Sequence, residues 1–227
     1  MAAADPTVFF SGILLALMET AKQLFLYSVV FEGNYNVWYF PFQLCSVPMY
    51  LCIFYGVAGF FSKSCTSDAL SRPLYEARKI SVTFIRDFGL LGGIMALAVP
   101  DGFTWADYPL LTLHGYVWHI ILIFLSIYAY RRRLGYERIG DFVKTVPLFC
   151  FLAAVAELLN ISLSSEGADC DMFYISPYHL SSQPVFSHID RAVGRIPGIF
   201  IYLFCILLGA FLIHCMFYLI SRHFEKK

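Results

Sequence analysis

Charged residues are scarce in this chain, and their scarcity excludes a soluble globular domain. Lys, Arg, Asp and Glu make up 14% of the 227 residues, whereas hydrophobic residues make up 59%. The mean hydropathy is +0.67. A soluble domain has no use for so much apolar surface. We therefore expect an all-α, polytopic membrane protein.

Several patterns that mark other classes of protein are also missing. The seven cysteines include no CxxC pair and the six histidines no HxxxH spacing, so the sequence supports no metal site. We expect no cofactor. The basic residues form no face large enough for nucleic acid, and no internal repeat is visible. No basic residue precedes the first apolar segment, so we expect no cleaved signal peptide.

Six long apolar segments fill the chain. Each is long enough to cross a hydrocarbon core of roughly 30 Å, which needs about 20 helical residues. They cover residues 8–31, 38–61, 80–100, 108–130, 143–163 and 196–220. The sequence therefore predicts a single domain over residues 1–227, folded as a six-transmembrane-helix bundle.

The distribution of basic residues predicts the orientation in the membrane. Most of the 16 Lys and Arg residues fall in the connections 62–79 and 131–142 and in the C-terminal tail. These segments would share one side of a six-helix bundle, and the opposite side carries mainly acidic residues. Basic connections favour the cytoplasm, so we expect cytoplasmic N and C termini. The run Arg131–Arg133 also suits contact with anionic lipid headgroups.

Ionisable residues inside apolar segments need a partner or a function. Glu19 and Lys22 are three apart in the first segment and share a helix face, as do Glu157 and Asn160 in the fifth. Glu19 and Lys22 could be a structural ion pair that ties helices together. They could also line a path for a substrate or a proton.

The stretch from Phe40 to Ser46 interrupts the second apolar segment with a proline, an amide and a thiol. Gln43 and Cys45 lie here, and His114 lies in the fourth segment. At about 1.5 Å of helical rise per residue, Cys45 and His114 both fall roughly 10 Å below the outer face. His119 would lie deeper and about 140° round the helix, which favours a packing role. A disulfide from Cys45 to Cys170 in the outer loop competes with a catalytic Cys45.

These motifs resemble the YwaF-like family of six-helix integral membrane proteins, whose eukaryotic relatives include transmembrane protein 164. The resemblance spans nearly the whole chain. It is carried by Glu19-Thr-Ala-Lys22, Pro41-Phe-Gln-Leu-Cys45, Val99-Pro100-Asp101, His114-Gly115, Asn160 followed by Asp171-Met-Phe-Tyr174, and the loop from Tyr178 to Pro197.

The resemblance implies lipid chemistry. The eukaryotic relative is regarded as a phospholipid acyltransferase with a cysteine nucleophile and a histidine partner, and more distant six-helix relatives hydrolyse lipids with threonine and histidine. Carried over, His114 would be the base and Cys45 the nucleophile. This chain departs from the pattern at Phe42, where the eukaryotic relative has its thiol, and at Gln43, where bacterial members often have histidine.

Three functions therefore stay open at the sequence level. In the first, a lipid acyltransferase or hydrolase opens to the outer leaflet, with a Cys45 thiolate generated by His114. Glu157 would orient His114, and Gln43 or Asn160 would donate to an oxyanion. The second is a transporter or channel, and the third a non-catalytic accessory protein. We expect membrane lipids as partners and a bacterial cytoplasmic membrane as the location, and the oligomeric state stays open.

Overall fold

The fold is entirely helical in the residues that the computed structural model describes, which are 4–64, 68–165, 167 and 169–225. Within them lie seven α-helices and no strand. The helices are α1 Pro6–Phe25, α2 Val47–Ser64, α3 Asp68–Ala98, α4 Pro109–Arg131, α5 Val146–Ser165, α6 Pro184–Val193 and α7 Arg195–Glu225. The membrane class expected from the sequence is confirmed, and the C-terminal Lys226 and Lys227 lie outside the described residues.

Five helical segments are long and apolar enough to cross a membrane. They are Pro6–Val30, Ala69–Ala98, Pro109–Arg131, Ile139–Ser164 and Arg195–Phe224. Two of them include a short helix of another type. A π-helix follows α1 at Leu26–Val30, and a 3₁₀ helix precedes α5 at Ile139–Thr145. The second predicted segment is different, because its apolar helical part covers only Val47–Ser62.

The prediction of a helix over 38–61 is therefore wrong at its start. Residues 38–46 form a short 3₁₀ turn, Val37–Tyr39, followed by irregular backbone. Pro41 has no N–H to donate and disfavours helical backbone at Phe40, so the chain stays extended there. Ser46 then starts the helix, where its carbonyl accepts from the backbone N–H of Met49 at 3.1 Å. Gln43 and Cys45 consequently precede α2 instead of lying within it.

The connection predicted over 62–79 is also largely helical, because α3 begins at Asp68 instead of near residue 80. Its first turns carry Arg72, Glu76 and Lys79, which suit a helix that extends beyond an apolar layer into a polar one. Lys79 and Tyr136 form a cation–π contact, with the ammonium 4.3 Å from the ring centroid. Contacts of this kind anchor the extension against the connection after α4.

Three helix ends meet at one end of the bundle. The start of α1 reaches the end of α4, since Arg132 lies 3.5 Å from the carboxylate of Asp5. The last turns of α7 reach the same place, where Ser221 donates to the hydroxyl of Tyr130 at 3.2 Å. We call this end of the bundle, which contains Arg131–Arg133, the basic end. The start of α1 and the end of α7 share it, and its exposure to the cytoplasm stays a prediction.

Small residues allow α3 and α4 to approach closely. A Cβ built on Gly89 would lie 3.1 Å from Ser126 Oγ, and one on Gly93 would lie 2.7 Å from a side-chain carbon of Ile123. The Gly89-x-x-x-Gly93 pattern thus forms a helix-packing face, as its spacing indicates. Ser126 donates to the carbonyl of Ile85 at 3.1 Å and adds a hydrogen bond between the two helices.

A buried ionic cluster joins α3 to α7 near the basic end. Asp87 lies 2.7 Å from Arg86 Nε and 2.6 Å from His214 Nδ1, and all three side chains are buried. Arg86 also donates to the carbonyl of Tyr136 at 2.8 Å, and His214 Nε2 contacts the carbonyl of Arg138 at 3.0 Å. The position of Arg86 in the sequence would allow its side chain to extend to the membrane surface. The structure holds it inside the bundle instead. Arg86 holds the connection after α4 from inside the bundle.

Candidate functional site

The turn before α2 carries Cys45 at the end opposite the basic end. Asn36 caps the 3₁₀ turn by accepting from the N–H of Trp38 at 3.0 Å, and the hydroxyl of Tyr50 donates to the carbonyl of Pro41 at 2.8 Å. Ser46 closes the turn by donating its N–H to the carbonyl of Gln43 at 2.8 Å. These bonds satisfy the backbone of an irregular segment and fix the position of Cys45.

Cys45 is tied to α4 through its backbone. The indole Nε1–H of Trp118 donates to the Cys45 carbonyl at 3.1 Å. Cys45 is partly exposed, and its thiol makes no described hydrogen bond to the His114 ring, whose Nε2 has no partner.

His114 lies one helical turn before Trp118 on α4 and stacks on it, with ring centroids 5.5 Å apart. Its ring hydrogen-bonds to the backbone of Met18 on α1, and Lys22 and Glu19 are close enough to interact with it electrostatically. Its Nε2 atom is buried and has no hydrogen-bond partner. A backbone carbonyl only accepts, so Nδ1 carries the proton toward Met18 and Nε2 keeps a free lone pair.

Glu19 and Lys22 form the ion pair that their spacing allowed. Lys22 Nζ lies 2.7 Å from Glu19 Oε1, and Glu19 is buried while Lys22 is partly exposed. Gln23 donates to the same carboxylate oxygen at 2.7 Å and to the carbonyl of Tyr39 at 2.6 Å. The sequence reasoning missed Gln23, whose spacing of four from Glu19 was the available signal.

Lys22 connects the separate parts of this region. Its charge interacts with the Cys45 thiol, with His114 and with His119. Parts of α1, α4 and the turn before α2 therefore lie within electrostatic range of one cation. We call Glu19, Lys22, Cys45, His114 and Trp118 the thiol–imidazole region.

His119 makes local contacts instead of joining a catalytic group. Its Nδ1 lies 2.7 Å from the carbonyl of Gly115, four residues earlier in the same helix, and its ring packs 4.9 Å from that of Phe103. The residue is buried. These are the contacts of a packing histidine, which agrees with the interpretation from its position in the sequence.

Gln43 points toward the long loop that follows α5. Its Nε2 donates to the carbonyl of Asp171 at 2.8 Å, while its Oε1 is buried and has no hydrogen-bond partner. The same loop contributes Phe173, which stacks on Phe42 with centroids 5.7 Å apart. The turn that carries Cys45 is therefore covered by loop residues 171–174.

Asn160 holds this loop to α5. Its amide donates to the carbonyl of Met172 at 3.1 Å and accepts from the N–H of Met172 at 2.6 Å. Glu157 hydrogen-bonds to Asn160 and interacts with Asp171 and Arg195, and its Oε2 is buried without a partner. The described contacts of Glu157 are with this loop region, and none of them is with His114.

Arg195 at the start of α7 organises the same loop, and the sequence reasoning did not assign it. Its guanidinium lies 2.7 Å from Asp190 and 3.8 Å from Asp171, and it donates to the carbonyl of Tyr174 at 2.9 Å. Burial raises the pKa of the Asp171 carboxyl, and a hydrogen bond from Ser176 and the charge of Arg195 oppose this shift. A lone arginine beside an apolar segment was the signal that could have found it.

The backbone of the loop is strained where Arg195 holds it. Phe173 and Tyr174 both have left-handed conformations, with φ of 58° and 57°. Such conformations cost non-glycine residues on the order of 1–3 kcal/mol each and persist only where surrounding contacts enforce them. Arg195 and the Phe42–Phe173 stack supply those contacts beside the Cys45 turn.

Cys45 and Cys170 are both free thiols, so the disulfide that competed with a reactive Cys45 is absent. Cys170 is fully buried against α5, where its sulfur lies 3.8 Å from the carbonyl of Asn160 and 3.7 Å from the hydroxyl of Ser164. In the described part of the chain, no three His, Cys, Asp or Glu side chains lie close enough together to hold a metal ion.

The whole arrangement can be compared with known proteins. The profile of the TMEM164 family matches residues 4–220, which is nearly the full chain. The chain belongs to the TMEM164 family. No curated protein and no solved structure matches it.

Membership of the TMEM164 family confirms one part of the resemblance seen in the sequence. The relation to transmembrane protein 164 is shown, while the relation to bacterial YwaF-like proteins stays a prediction. The matched region of the TMEM164 family member includes every residue of the thiol–imidazole region and the loop that covers it. Family membership identifies this chain as a membrane protein and does not by itself assign a chemical activity.

Proposed function

We propose that this TMEM164 family member is a multi-pass membrane enzyme that transfers acyl groups between lipids, with His114 as general base and Cys45 as nucleophile. Six crossings are part of the proposal. The 18 residues of α2 span about 27 Å at 1.5 Å per residue, and the turn over 40–46 supplies the remaining depth. The basic end then faces the cytoplasm, and the site opens to the outer leaflet.

The buried, unpartnered Nε2 of His114 is the observation that supports this proposal most. An unpaired buried acceptor costs roughly 1–3 kcal/mol, so it persists where function requires a free lone pair. Its other ring nitrogen is held by the Met18 backbone, which fixes the tautomer and the orientation of the ring. A neutral imidazole with a free Nε2 is the form that accepts a proton.

The proposed reaction passes through a thioester on Cys45. The thiol proton moves to His114 Nε2 as the sulfur attacks the ester carbonyl of a bound lipid. The sulfur–carbon bond of a thioester forms, the ester C–O bond breaks, and the imidazolium returns the proton to the leaving alcohol. A second lipid hydroxyl then attacks the thioester and restores the thiol, whereas attack by water gives hydrolysis.

Lys22 replaces Gln43 and Asn160 as the donor that we propose for the oxyanion. Two hydrogen bonds to Met172 hold the Asn160 amide, and the bond to the Asp171 carbonyl orients the Gln43 NH₂ group toward the loop. Lys22 has three N–H donors and one described partner, Glu19, and its charge reaches both Cys45 and His114. A fixed cation beside the carbonyl stabilises the charge that develops on its oxygen.

Detection of the covalent intermediate tests the proposal. Purified protein is incubated with a phospholipid that carries a labelled acyl chain, and the label on the protein and on a lysophospholipid acceptor is measured. We expect a hydroxylamine-sensitive label on Cys45 that is lost in Cys45→Ala. We expect His114→Gln to slow labelling by roughly 100-fold or more, the lower range for a general base.

Cys205→Ala is the matched control, because Cys205 is an exposed thiol on α7 away from the site. It should label and transfer like the unmodified protein. Transfer that continues in Cys45→Ala would show that Cys45 is not the nucleophile, and transfer that is unchanged in His114→Gln would remove the base. Thermal unfolding of each variant separates these results from a loss of folding.

A further inference from the structure

A cavity lies at the basic end, at the opposite end of the bundle from the thiol–imidazole region. It has a volume of about 500 Å³, within the range of small-molecule sites. The connection after α4 forms one wall and the last turns of α7 form the other. Its lining residues are Glu137, Arg138, Ile139, Tyr218, Ser221 and Arg222. We call it the arginine cavity.

The charges in the arginine cavity favour an anionic ligand. Arg138 and Arg222 are both exposed, and neither forms an ion pair with a carboxylate within the described residues. The described partner of the Arg222 side chain is the neutral hydroxyl of Tyr218, at 3.2 Å. Glu137, the acid that lines the cavity, lies 3.8 Å from Arg133 and so is partly neutralised. Two arginines without a described carboxylate partner thus line the cavity together with Glu137.

The two walls are fixed before any ligand arrives. The carbonyl of Arg138 contacts the buried Nε2 of His214 at 3.0 Å, and the carbonyl of Tyr136 accepts from the buried Arg86 at 2.8 Å. On α7, Tyr218, Ser221 and Arg222 are spaced at i, i+3 and i+4 and share one helix face. Hydroxyl and guanidinium donors on a preformed frame match the oxygen atoms of a phosphate group.

The surface next to the cavity indicates that the phosphate belongs to a lipid. Ile139, which lines the cavity, is exposed, and so is Val143, where this wall continues into the apolar span Ile139–Ser164. An acyl chain can lie on this apolar surface while the headgroup occupies the arginine cavity. The basic end is the predicted cytoplasmic side, where anionic lipids concentrate.

We propose that the arginine cavity binds the phosphate headgroup of an anionic phospholipid from the leaflet at the basic end. This site is separate from the proposed acyl-transfer site. It does not depend on the chemistry at Cys45 and His114.

Native mass spectrometry of the full-length protein in detergent tests the proposal. Phosphatidic acid and phosphatidylcholine are the probes, and bound lipid is measured as a function of lipid concentration. We expect phosphatidic acid to bind more tightly than phosphatidylcholine. We expect Arg138→Gln/Arg222→Gln to weaken phosphatidic acid binding by at least roughly tenfold, since two charge-assisted contacts are lost.

Arg72→Gln/Arg131→Gln is the matched control, since it removes the same charge from exposed arginines at the same end of the bundle. It should change binding less than threefold. Equal losses in the two double variants would overturn the proposal, because attraction to general surface charge would then explain the binding. Single Arg222→Gln serves as a second variant if the first does not fold.

Competition with inorganic phosphate distinguishes the binding of a lipid headgroup from the binding of free phosphate. If the cavity holds a lipid, phosphate at millimolar concentration should displace little phosphatidic acid, because it lacks the acyl contacts beside Ile139 and Val143. Full displacement by free phosphate would overturn the assignment to a lipid. Equal binding of phosphatidylcholine would overturn the requirement for an anionic headgroup.

Discussion

The indole of Trp118 donates a hydrogen bond to the carbonyl oxygen of Cys45 over 3.1 Å and joins α4 to the turn before α2. Trp118 also stacks on His114, one helical turn earlier. One side chain therefore positions both groups of the proposed catalytic pair. This relationship makes Trp118 a positioning residue that can be tested separately from the chemistry.

Trp118→Phe should keep the ring but lose the hydrogen bond to Cys45. The partly buried carbonyl would lose this donor, at a cost of roughly 0.5–1.5 kcal/mol in the free energy of unfolding. We expect a lower unfolding temperature and faster alkylation of Cys45, because the turn becomes more mobile. Trp105→Phe is the control, since its indole nitrogen takes part in no described hydrogen bond. Equal effects of both substitutions would contradict the role of Trp118.

Gly115→Ala should distort α4 beside His114. A Cβ there would lie 2.6 Å from Cγ of Phe103, well inside van der Waals contact. We expect a loss of roughly 1–3 kcal/mol in unfolding free energy, as for other overpacked positions. The second substitution Phe103→Ala should restore part of that loss. Gly92→Ala is the control because nothing lies within 4 Å of its built Cβ, and it should unfold like the unmodified protein.

Arg195→Ala should release the loop over 171–176. Buried Asp190 would lose its partner at 2.7 Å, and breaking such a pair costs roughly 3–5 kcal/mol. We expect faster amide hydrogen exchange at residues 171–176, measured by mass spectrometry, while α3 stays protected. Arg191→Ala removes an exposed arginine of α6 and should leave exchange unchanged. Unchanged exchange in Arg195→Ala would show that other contacts hold the left-handed backbone.

Cys45 and Cys170 should both alkylate without a reducing agent after unfolding. The structure keeps Cys170 against Asn160 and Ser164, away from a disulfide with Cys45. Intact and peptide mass spectrometry under non-reducing conditions should show both thiols carrying the label. A peptide pair linked through Cys45 and Cys170 would contradict this arrangement and the proposed nucleophile together.

Long apolar segments were predictable because their hydrophobicity and length are properties of local sequence. The spans Pro6–Val30 and Pro109–Arg131 begin and end within two residues of the predicted segments 8–31 and 108–130. The start of α2 was not predicted, because Pro41 and the hydrogen bonds of Gln43 and Ser46 override the apolar composition there. The start of α3 was missed for the opposite reason, since polar residues continue a helix beyond the apolar layer.

The sequence predicted the residue types of the candidate site and their approximate depth, but not the contacts between them. The spacing of Glu19 and Lys22 was enough to predict their ion pair. The contacts of Glu157 and Asn160 with the loop after α5 were not predictable, since they join positions that only the packing of that loop brings together. Arg195 was missed because only the packing of this region brings it to its partners, which are Asp171, Tyr174 and Ser176 in the loop and Asp190 on α6.

The sequence by itself determined that this chain is a helical membrane protein, because scarce charge and long apolar segments permit little else in contact with lipid. It also determined the candidate residues, since a thiol and an imidazole in apolar surroundings need a reason. Only the tertiary structure decided which groups meet. The Met18 backbone leaves His114 Nε2 free, and Trp118 joins the helix of His114 to the turn of Cys45, because these effects depend on distances across helices that no local pattern encodes.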